Sequence, residues 1–157
     1  MIDIYLIYQV IVNFMPTPII SKELQFFIHF AKAHAVMSRR FDARLSGLGF
    51  SVFLILFALN ETKDEKLRRT DLANHLGLTA SGVTRMLIPM EKIGLIKRET
   101  NAMDGRVSYV LLTSAGKRML IEALENAEDV SKSAVRSEKI KNLHEFSTLL
   151  SDIAKTS

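Results

Sequence analysis

Small polar side chains and one long cation lie close together near the middle of the chain. They are Thr79, Ser81, Gly82, Thr84 and Arg85. Short residues at the start of a helix let its backbone amides approach phosphates, and an arginine can bind a guanine edge or a phosphate. This combination predicts a surface that binds nucleic acid. A solvated helical face without a function is the competing interpretation.

The segment that contains these residues is basic, unlike the rest of the chain. Residues 66–118 include ten Lys/Arg and four Asp/Glu, a net charge of +6, whereas the whole 157-residue chain carries +4. The residues outside this segment therefore carry a net charge of −2. A basic segment in an otherwise slightly acidic protein indicates where a polyanion could bind.

Two short helices joined by a sharp turn are predicted to position the polar residues. Thr70 is a suitable N-cap for the first helix, and Gly77 can adopt the positive φ that the turn requires. Leu78 is expected to pack inward, and the second helix is expected to begin at Thr79 or Ala80. The two inner faces are predicted to consist of Leu72, Ala73, Leu76, Val83, Met86 and Leu87. This spacing is typical of a helix-turn-helix, whose second helix enters the major groove of DNA.

A two-stranded hairpin is predicted after the second helix. Residues 96–100 and 107–113 have the composition of strands, and residues 101–106 contain an Asp-Gly turn. Because a helix-turn-helix followed by a basic hairpin forms a winged helix, the segment is predicted to adopt that fold.

Four charged residues of the hairpin could contribute to binding. Arg106 could enter a narrow minor groove, and Asp104 could fix its direction by pairing with it. Arg98 and Lys97, on the first strand, would add charge that neutralises phosphates.

Two helices are predicted before the winged helix. Residues 21–45 form a long amphipathic helix capped by Ser21, because apolar residues recur every three or four positions. The next helix is predicted to begin at Ser51, and its apolar run at residues 52–59 would be buried on every side. A strand is the competing interpretation of so short an apolar run. Residues 61–66 are predicted to form a charged loop.

Two more helices are predicted after the hairpin. Thr113 is expected to cap the first, whose apolar stripe reaches Val130. The apolar seam of the last helix is predicted to consist of Ile140, Leu143, Phe146, Leu150 and Ile153. Because both helices are amphipathic, they need a partner surface, which is either the N-terminal helix or a second subunit.

Residues 1–20 are strongly apolar, but they lack the basic region and cleavage site of a signal peptide. The run before Pro16 is short for a membrane span, which needs ~20 apolar residues, and it contains Asp3, Gln9 and Asn13. A hydrophobic arm on a partner subunit, or an upstream extension with the functional start at Met15, is favoured over a membrane-spanning helix.

Enzyme and metal chemistry find little support. There are no cysteines, which excludes disulfides and thiolate metal sites. The four histidines are His29, His34, His75 and His144, and none forms an i, i+4 metal-binding pair. Catalytic and nucleotide-binding motifs are absent as well. The chain is therefore expected not to be an enzyme and to need no cofactor or metal.

At this point the sequence resembles the multiple antibiotic resistance regulator family, MarR. The resemblance lies in three runs, which are TDLANHLGL, SGVTRML and EKIGLIKRETNAMDGRVSYVLLTSAG. The wing signature D-x-R-x-x-x-V-x-L-T of that family is met at Asp104, Arg106, Val110, Leu112 and Thr113, and Gly116 follows. The resemblance extends from about Ser21 to the C-terminus, and residues 1–20 lie outside it.

Two positions depart from the pattern of the family. Gly105 stands where the family usually has an arginine, which removes a cation from the wing tip and makes the tip more flexible. Pro89 interrupts the second helix, so a kink or an early end is expected there.

The resemblance implies a mainly α fold with a small β-hairpin, in which a winged helix-turn-helix core is joined to N- and C-terminal dimerisation helices. The implied divisions are an apolar arm at 1–20, N-terminal helices at 21–60, the DNA-binding region at 61–113 and C-terminal helices at 114–157. The DNA-binding residues would be Thr79, Ser81, Gly82, Thr84, Arg85, Arg98, Asp104 and Arg106.

The function implied by the resemblance is that of a cytoplasmic homodimeric repressor, which binds pseudo-palindromic double-stranded DNA and is released by a small, often aromatic ligand. The implied ligand-binding residues are Phe27, Phe30, His34, Met37, Arg40, Phe41 and Phe53, with Arg39 as an alternative cation. Core packing is the competing interpretation of these residues. The alternative functions are a winged helix that contacts only proteins, or an enzyme or membrane-associated subunit.

Overall fold

The computed structural model describes residues 19–45, 47–100, 107–135 and 142–155. Its helices are α1 (Lys22–Arg44), α2 (Phe50–Asn60), α3 (Arg69–His75), α4 (Ala80–Lys92), α5 (Ser114–Ala134) and α6 (Leu143–Lys155). Its strands are β1 (Lys66–Arg68), β2 (Ile96–Thr100) and β3 (Ser108–Leu112). The chain separates into two units, residues 1–35 and residues 36–157. The predicted fold class, mainly helical with a small sheet and a winged helix-turn-helix, is confirmed.

The sheet has one strand more than the predicted hairpin. Its order is β1-β3-β2, and both pairs are antiparallel. Val110 in the central strand lies opposite Leu67 of β1 and Arg98 of β2. The prediction that residues 61–66 form a loop is therefore wrong at Lys66. A three-residue strand has too little alternation to be found from sequence, because it is defined by its pairing with β3.

The hydrophobic core of residues 36–157 holds the helix-turn-helix against the sheet and α5. Leu56 and Leu59 from α2, Leu72 from α3, Leu87 from α4 and Val110 from β3 are completely buried. These side chains come from four elements, so the core fixes the orientation of α4 relative to the sheet.

The start and the burial of α2 both differ from the prediction. The helix begins at Phe50 rather than at Ser51, and the Asp42 carboxylate accepts a hydrogen bond from the Phe50 amide at 2.7 Å. The expectation of burial on every side is also wrong, because Leu54 and Phe57 are each 37% exposed. The helical assignment itself is confirmed, and the strand alternative is excluded.

Two predictions about the helix-turn-helix are wrong. Helix α3 begins at Arg69, so Thr70 lies inside its first turn instead of capping it. Leu78 does not pack inward, because 43% of it is exposed. The predicted turn at Gly77 is confirmed by its φ of +63°, a conformation that residues with a side chain rarely adopt.

Helix α4 continues past Pro89 to Lys92, so the predicted early end is wrong. Proline removes one amide donor, but Val83, Leu87 and Met90 bury the inner face of the helix on both sides of that position. A kink at Pro89 stays a prediction. Helix α4 is followed by Gly94, which has a φ of +76°.

Helix α5 is capped, as predicted, by Thr113, whose hydroxyl accepts a hydrogen bond from the Gly116 amide at 3.0 Å. The single hydrogen of the same hydroxyl is shared between the carbonyls of Gly94 and Leu95, whose oxygens lie at 2.7 and 3.0 Å. A Cβ atom at Gly116 would lie 2.1 Å from the Leu95 carbonyl oxygen. Glycine is required there because no side chain fits between the two backbones.

Helix α6 has an exposed apolar face, which includes Leu143, Phe146 and Ile153 of the predicted seam and also Leu149, whereas the predicted Leu150 is half-buried. Helix α6 buries no residue within residues 36–157 as far as the structure describes them. Ile140 and residues 1–18 lie outside the described part of the chain. In the other unit, α1 is capped by Ser21 as predicted, with the Leu24 amide 3.1 Å from the serine oxygen.

Candidate nucleic-acid interface

The two faces of α4 differ sharply in their exposure. On the inner face, Val83 and Leu87 are completely buried. On the outer face, Ser81 and Arg85 are exposed. Because the inner face is fixed by the core, the outer face has a defined orientation. A side chain on it can therefore be aimed at a partner without any rearrangement of the helix.

The beginning of α4 is closed by a cap. The Thr79 hydroxyl accepts a hydrogen bond from the Gly82 amide at 3.1 Å, and it lies 3.3 Å from the Ser81 hydroxyl. A Cβ atom at Gly82 would approach the Thr79 oxygen to 3.1 Å, so glycine keeps the cap uncrowded. The Gly82 amide therefore already has an acceptor within the chain, and the position serves the cap.

Thr84 is held by two hydrogen bonds from its side chain. Its hydroxyl donates to the Ala80 carbonyl at 2.8 Å and accepts from Arg69 Nη1 at 2.8 Å. The same guanidinium nitrogen lies 3.4 Å from the Ala80 carbonyl oxygen. Sequence reasoning missed Arg69, which belongs to α3 and is fifteen positions from Thr84. Such a contact has no local pattern, because it depends on how the two helices pack.

The Arg85 side chain, unlike that of Thr84, is not held by hydrogen bonds to any residue that the structure describes. It is exposed, and it forms no hydrogen bond or ion pair with any residue that the structure describes. Its five N–H donors can therefore bind a phosphate or a guanine edge without breaking an internal contact.

Arg98 and Lys97 on β2 are each paired with a carboxylate. Arg98 Nε donates to Glu91 Oε2 at 2.7 Å, and Lys97 Nζ lies 2.8 Å from Glu99 Oε1. The Arg98 hydrogen bond lowers the pKa of Glu91, and the Lys97 hydrogen bond lowers the pKa of Glu99. The pair between Arg98 and Glu91 joins β2 to the end of α4. The predicted contact between Arg98 and DNA stays a prediction.

The wing tip, which includes Asp104 and Arg106, lies outside the described residues.

The predicted ligand-binding residues fall in both units of the chain. Phe27, Phe30 and His34 belong to the unit formed by residues 1–35. The others, Met37, Arg40, Phe41 and Phe53, belong to residues 36–157.

Among the ligand-binding candidates of the larger unit, two contribute to its core and one lines a cavity. Phe41 and Phe53 are buried, and the Phe41 ring stacks on Phe50 with a centroid separation of 4.3 Å. Arg40 lines a cavity of about 370 Å³ between the end of α1 and the end of α5, together with Arg44 and Asp129. The structure therefore separates Arg40 from the aromatic candidates, which pack as core residues.

Comparison with known proteins identifies the family. Residues 51–108 match the MarR family model. The chain is 30% identical over 131 residues to the uncharacterized HTH-type transcriptional regulator YxaD of Bacillus subtilis, and the match covers 81% of this chain and 87% of YxaD. The chain belongs to the MarR family.

Two further matches agree with this assignment. The HTH-type transcriptional repressor YetL of Bacillus subtilis is 32% identical over 93 residues, which cover 59% of this chain and 54% of YetL. This match therefore spans about half the length of that relative. The crystal structure of Sco3205, a MarR family transcriptional regulator from Streptomyces coelicolor in complex with DNA, has the same fold. Its TM-score is 0.74 at 24% identity, and the superposition covers 89% of this chain and 92% of Sco3205.

The family consists of transcriptional regulators and not of enzymes, which confirms the class expected from the sequence. No helix in the described part of the chain is long and apolar enough to cross a membrane.

Proposed function

We propose that this MarR family member binds double-stranded DNA in a sequence-specific way and reads it with Ser81 and Arg85. The observation that carries the proposal is the outer face of α4, where Arg85 is exposed on a helix whose inner face is completely buried. A rigid helix with short residues at its start and one available arginine suits the major groove. The DNA complex of Sco3205, which shares the fold, supports this assignment.

The proposal includes a homodimer that acts as a repressor in the cytoplasm. The exposed apolar side chains of α6, among them Leu143, Leu149 and Ile153, support a second subunit, because contiguous exposed apolar faces mark interaction sites. Two copies would present their α4 helices to half-sites about one helical turn apart. The similarity to the repressor YetL supports the sign of regulation.

A small ligand that releases the DNA is part of the same proposal. Arg40 and Arg44 in the cavity beside α5 offer cations to a carboxylate. Release of bound DNA by an aromatic carboxylate, followed as a fall in fluorescence anisotropy, would support this part of the proposal. Full retention of the DNA would contradict it for that ligand class.

The experiment that tests DNA reading is selection of bound sites from random duplex DNA by the full chain. A two-fold symmetric site should be enriched, and its affinity should fall steeply with salt because Lys and Arg displace counterions. Arg85→Ala should then weaken binding to the selected site by ~1–3 kcal/mol. Lys132→Ala, which removes an equal charge from an exposed position on α5 outside the basic segment, serves as the control. If no site is enriched and random duplex DNA is not retained at low salt, the wing contacts proteins instead.

A further inference from the structure

We propose that Arg69 is a positioning residue for DNA reading, which fixes Thr84 and the first turn of α4 and thereby determines which side chains read bases. The inference rests on the DNA-binding function proposed above. It concerns a residue outside α4 and outside the wing.

Arg69 is the first residue of α3, but its side chain contacts α4. Its Nη1 donates to Thr84 Oγ1 at 2.8 Å and approaches the Ala80 carbonyl oxygen to 3.4 Å. Because the Thr84 hydroxyl also donates to the Ala80 carbonyl at 2.8 Å, one nitrogen of Arg69 contacts both oxygens of this turn of α4. Arg69 and Thr84 are both half-buried, which shields their contact from competing water.

The electrostatic setting indicates that hydrogen bonds hold this arginine in place. The amino end of a helix carries a partial positive charge, so a cation placed there is repelled by the helix dipole. Arg69 nevertheless lies against the first turn of α4, because Thr84 and Ala80 supply oxygen acceptors for it. Hydrogen bonds that involve a charged donor are stronger than neutral ones and can offset this repulsion.

The hydrogen-bonding capacity of Thr84 then limits what it can do on DNA. A hydroxyl has one hydrogen to donate and two lone pairs to accept with. The hydrogen of Thr84 goes to Ala80, and one lone pair takes the Arg69 donor. Thr84 has no hydrogen left for a base acceptor, so hydrogen-bond donation from this face falls to Ser81 and Arg85. Arg69 therefore contributes to specificity by holding Thr84 in this state.

A positioning role and a phosphate contact predict different binding data for Arg69→Ala. Loss of positioning should weaken binding to the selected site by about tenfold, the equivalent of one charge-assisted hydrogen bond. Binding to random duplex DNA and the slope of log affinity against log salt should stay the same. Loss of a phosphate contact would instead weaken both DNAs alike and reduce the magnitude of that slope by about one.

A double-mutant cycle separates Arg69 from general damage to the fold. Thr84→Val removes the acceptor but keeps the branched shape, and Arg69→Ala with Thr84→Val should bind no worse than the weaker single variant. Thr84→Ser keeps the hydroxyl and should bind closer to the wild type than Thr84→Val does. Arg69→Lys keeps one charged nitrogen donor on a side chain without the guanidinium, so it should recover part of the loss.

Non-additive losses of affinity for the selected site, at an unchanged salt slope, support the proposal. Losses that multiply in the double variant, or an unchanged affinity in Arg69→Ala, overturn it. If Arg69→Ala does not fold, as judged by circular dichroism, Thr84→Val with Arg69 in place gives the same comparison. Failure of the wild type to enrich any site would refute the proposed function itself, and so is distinct from a negative result for Arg69.

Discussion

Helices α4 and α6 are both thirteen residues long and amphipathic, yet their apolar faces have different surroundings. Helix α4 buries Val83, Leu87 and Met90, whereas α6 buries no residue in the part of the chain that the structure describes. The helix proposed to read DNA is thus fully supported within one subunit. The C-terminal helix has a face that this unit does not cover.

The difference indicates which part of the structure one subunit supports by itself and which part would need a second subunit in the proposed dimer. Each large apolar side chain that becomes fully buried contributes roughly 1.5–3 kcal/mol, so an uncovered seam leaves a large driving force for association. In the proposed dimer, α4 would thus be oriented within each subunit before association, and the second subunit would set only the spacing of the two α4 helices. The following changes test this comparison.

The largest expected effect is on the inner face of α4. Leu87→Ala should lower the free energy of unfolding by ~2–5 kcal/mol, because it leaves a cavity under a completely buried side chain. Chemical denaturation followed by circular dichroism measures this loss. Ile93→Ala, at an exposed position just after α4, should change stability by no more than ~0.5 kcal/mol. Equal effects of the two substitutions would contradict the assigned orientation of α4.

An intermediate effect is expected on the seam of α6. Leu149→Asp places a charge on the apolar face and should shift the protein from dimer to monomer in analytical ultracentrifugation, because an unpaired charge is costly to bury in an interface. The circular dichroism spectrum should remain close to that of the wild type. Asp152→Asn, on the same helix, changes a charge without adding one to the seam and serves as the control. A dimer that survives Leu149→Asp would mean that α6 is not part of the interface.

The smallest effect is expected from the ion pair between Glu91 and Arg98. Because Arg98 lowers the pKa of Glu91 in the folded state, this pair adds stability above the unfolded pKa of about 4.3, and the added stability is lost as pH falls through the folded pKa. Glu91→Gln should therefore flatten the dependence of stability on pH in the acid range. Denaturation curves from neutral pH into the acid range measure the change, and Glu125→Gln on α5 is the control. An unchanged pH profile would show that the pair adds nothing in solution.

The parts of this fold that were predictable from sequence are those with local causes. Thr113 is predicted as a cap because its hydroxyl can accept from an amide three residues later, and the structure confirms it. The second helix is predicted to begin at Thr79 or Ala80, and α4 begins at Ala80 with Thr79 as its cap. The turn at Gly77 was predictable because its backbone conformation suits glycine. Local chemistry therefore predicted where α4 and α5 begin and the turn between α3 and α4, but not where α4 ends.

The missed features depend on residues far apart in the chain. Strand β1 exists because it pairs with β3, and α2 begins one residue early because Asp42 caps Phe50 from eight positions away. The same holds for Arg69, whose contact with Thr84 changes the role expected of a predicted DNA-binding residue. The DNA-binding site on α4 therefore stays a prediction, and the hydrogen bonds within it could not be predicted from the sequence.

The contact at Gly116 has a mechanical consequence. Side chains between packed elements usually absorb small displacements, since they can change rotamer. No side chain separates the backbone of Gly116 from the carbonyl of Leu95, and Thr113 adds hydrogen bonds to the same short segment. A rotation of α5 would therefore displace the segment that follows α4 directly, so this junction couples the orientation of α5 to that of the helix proposed to read DNA.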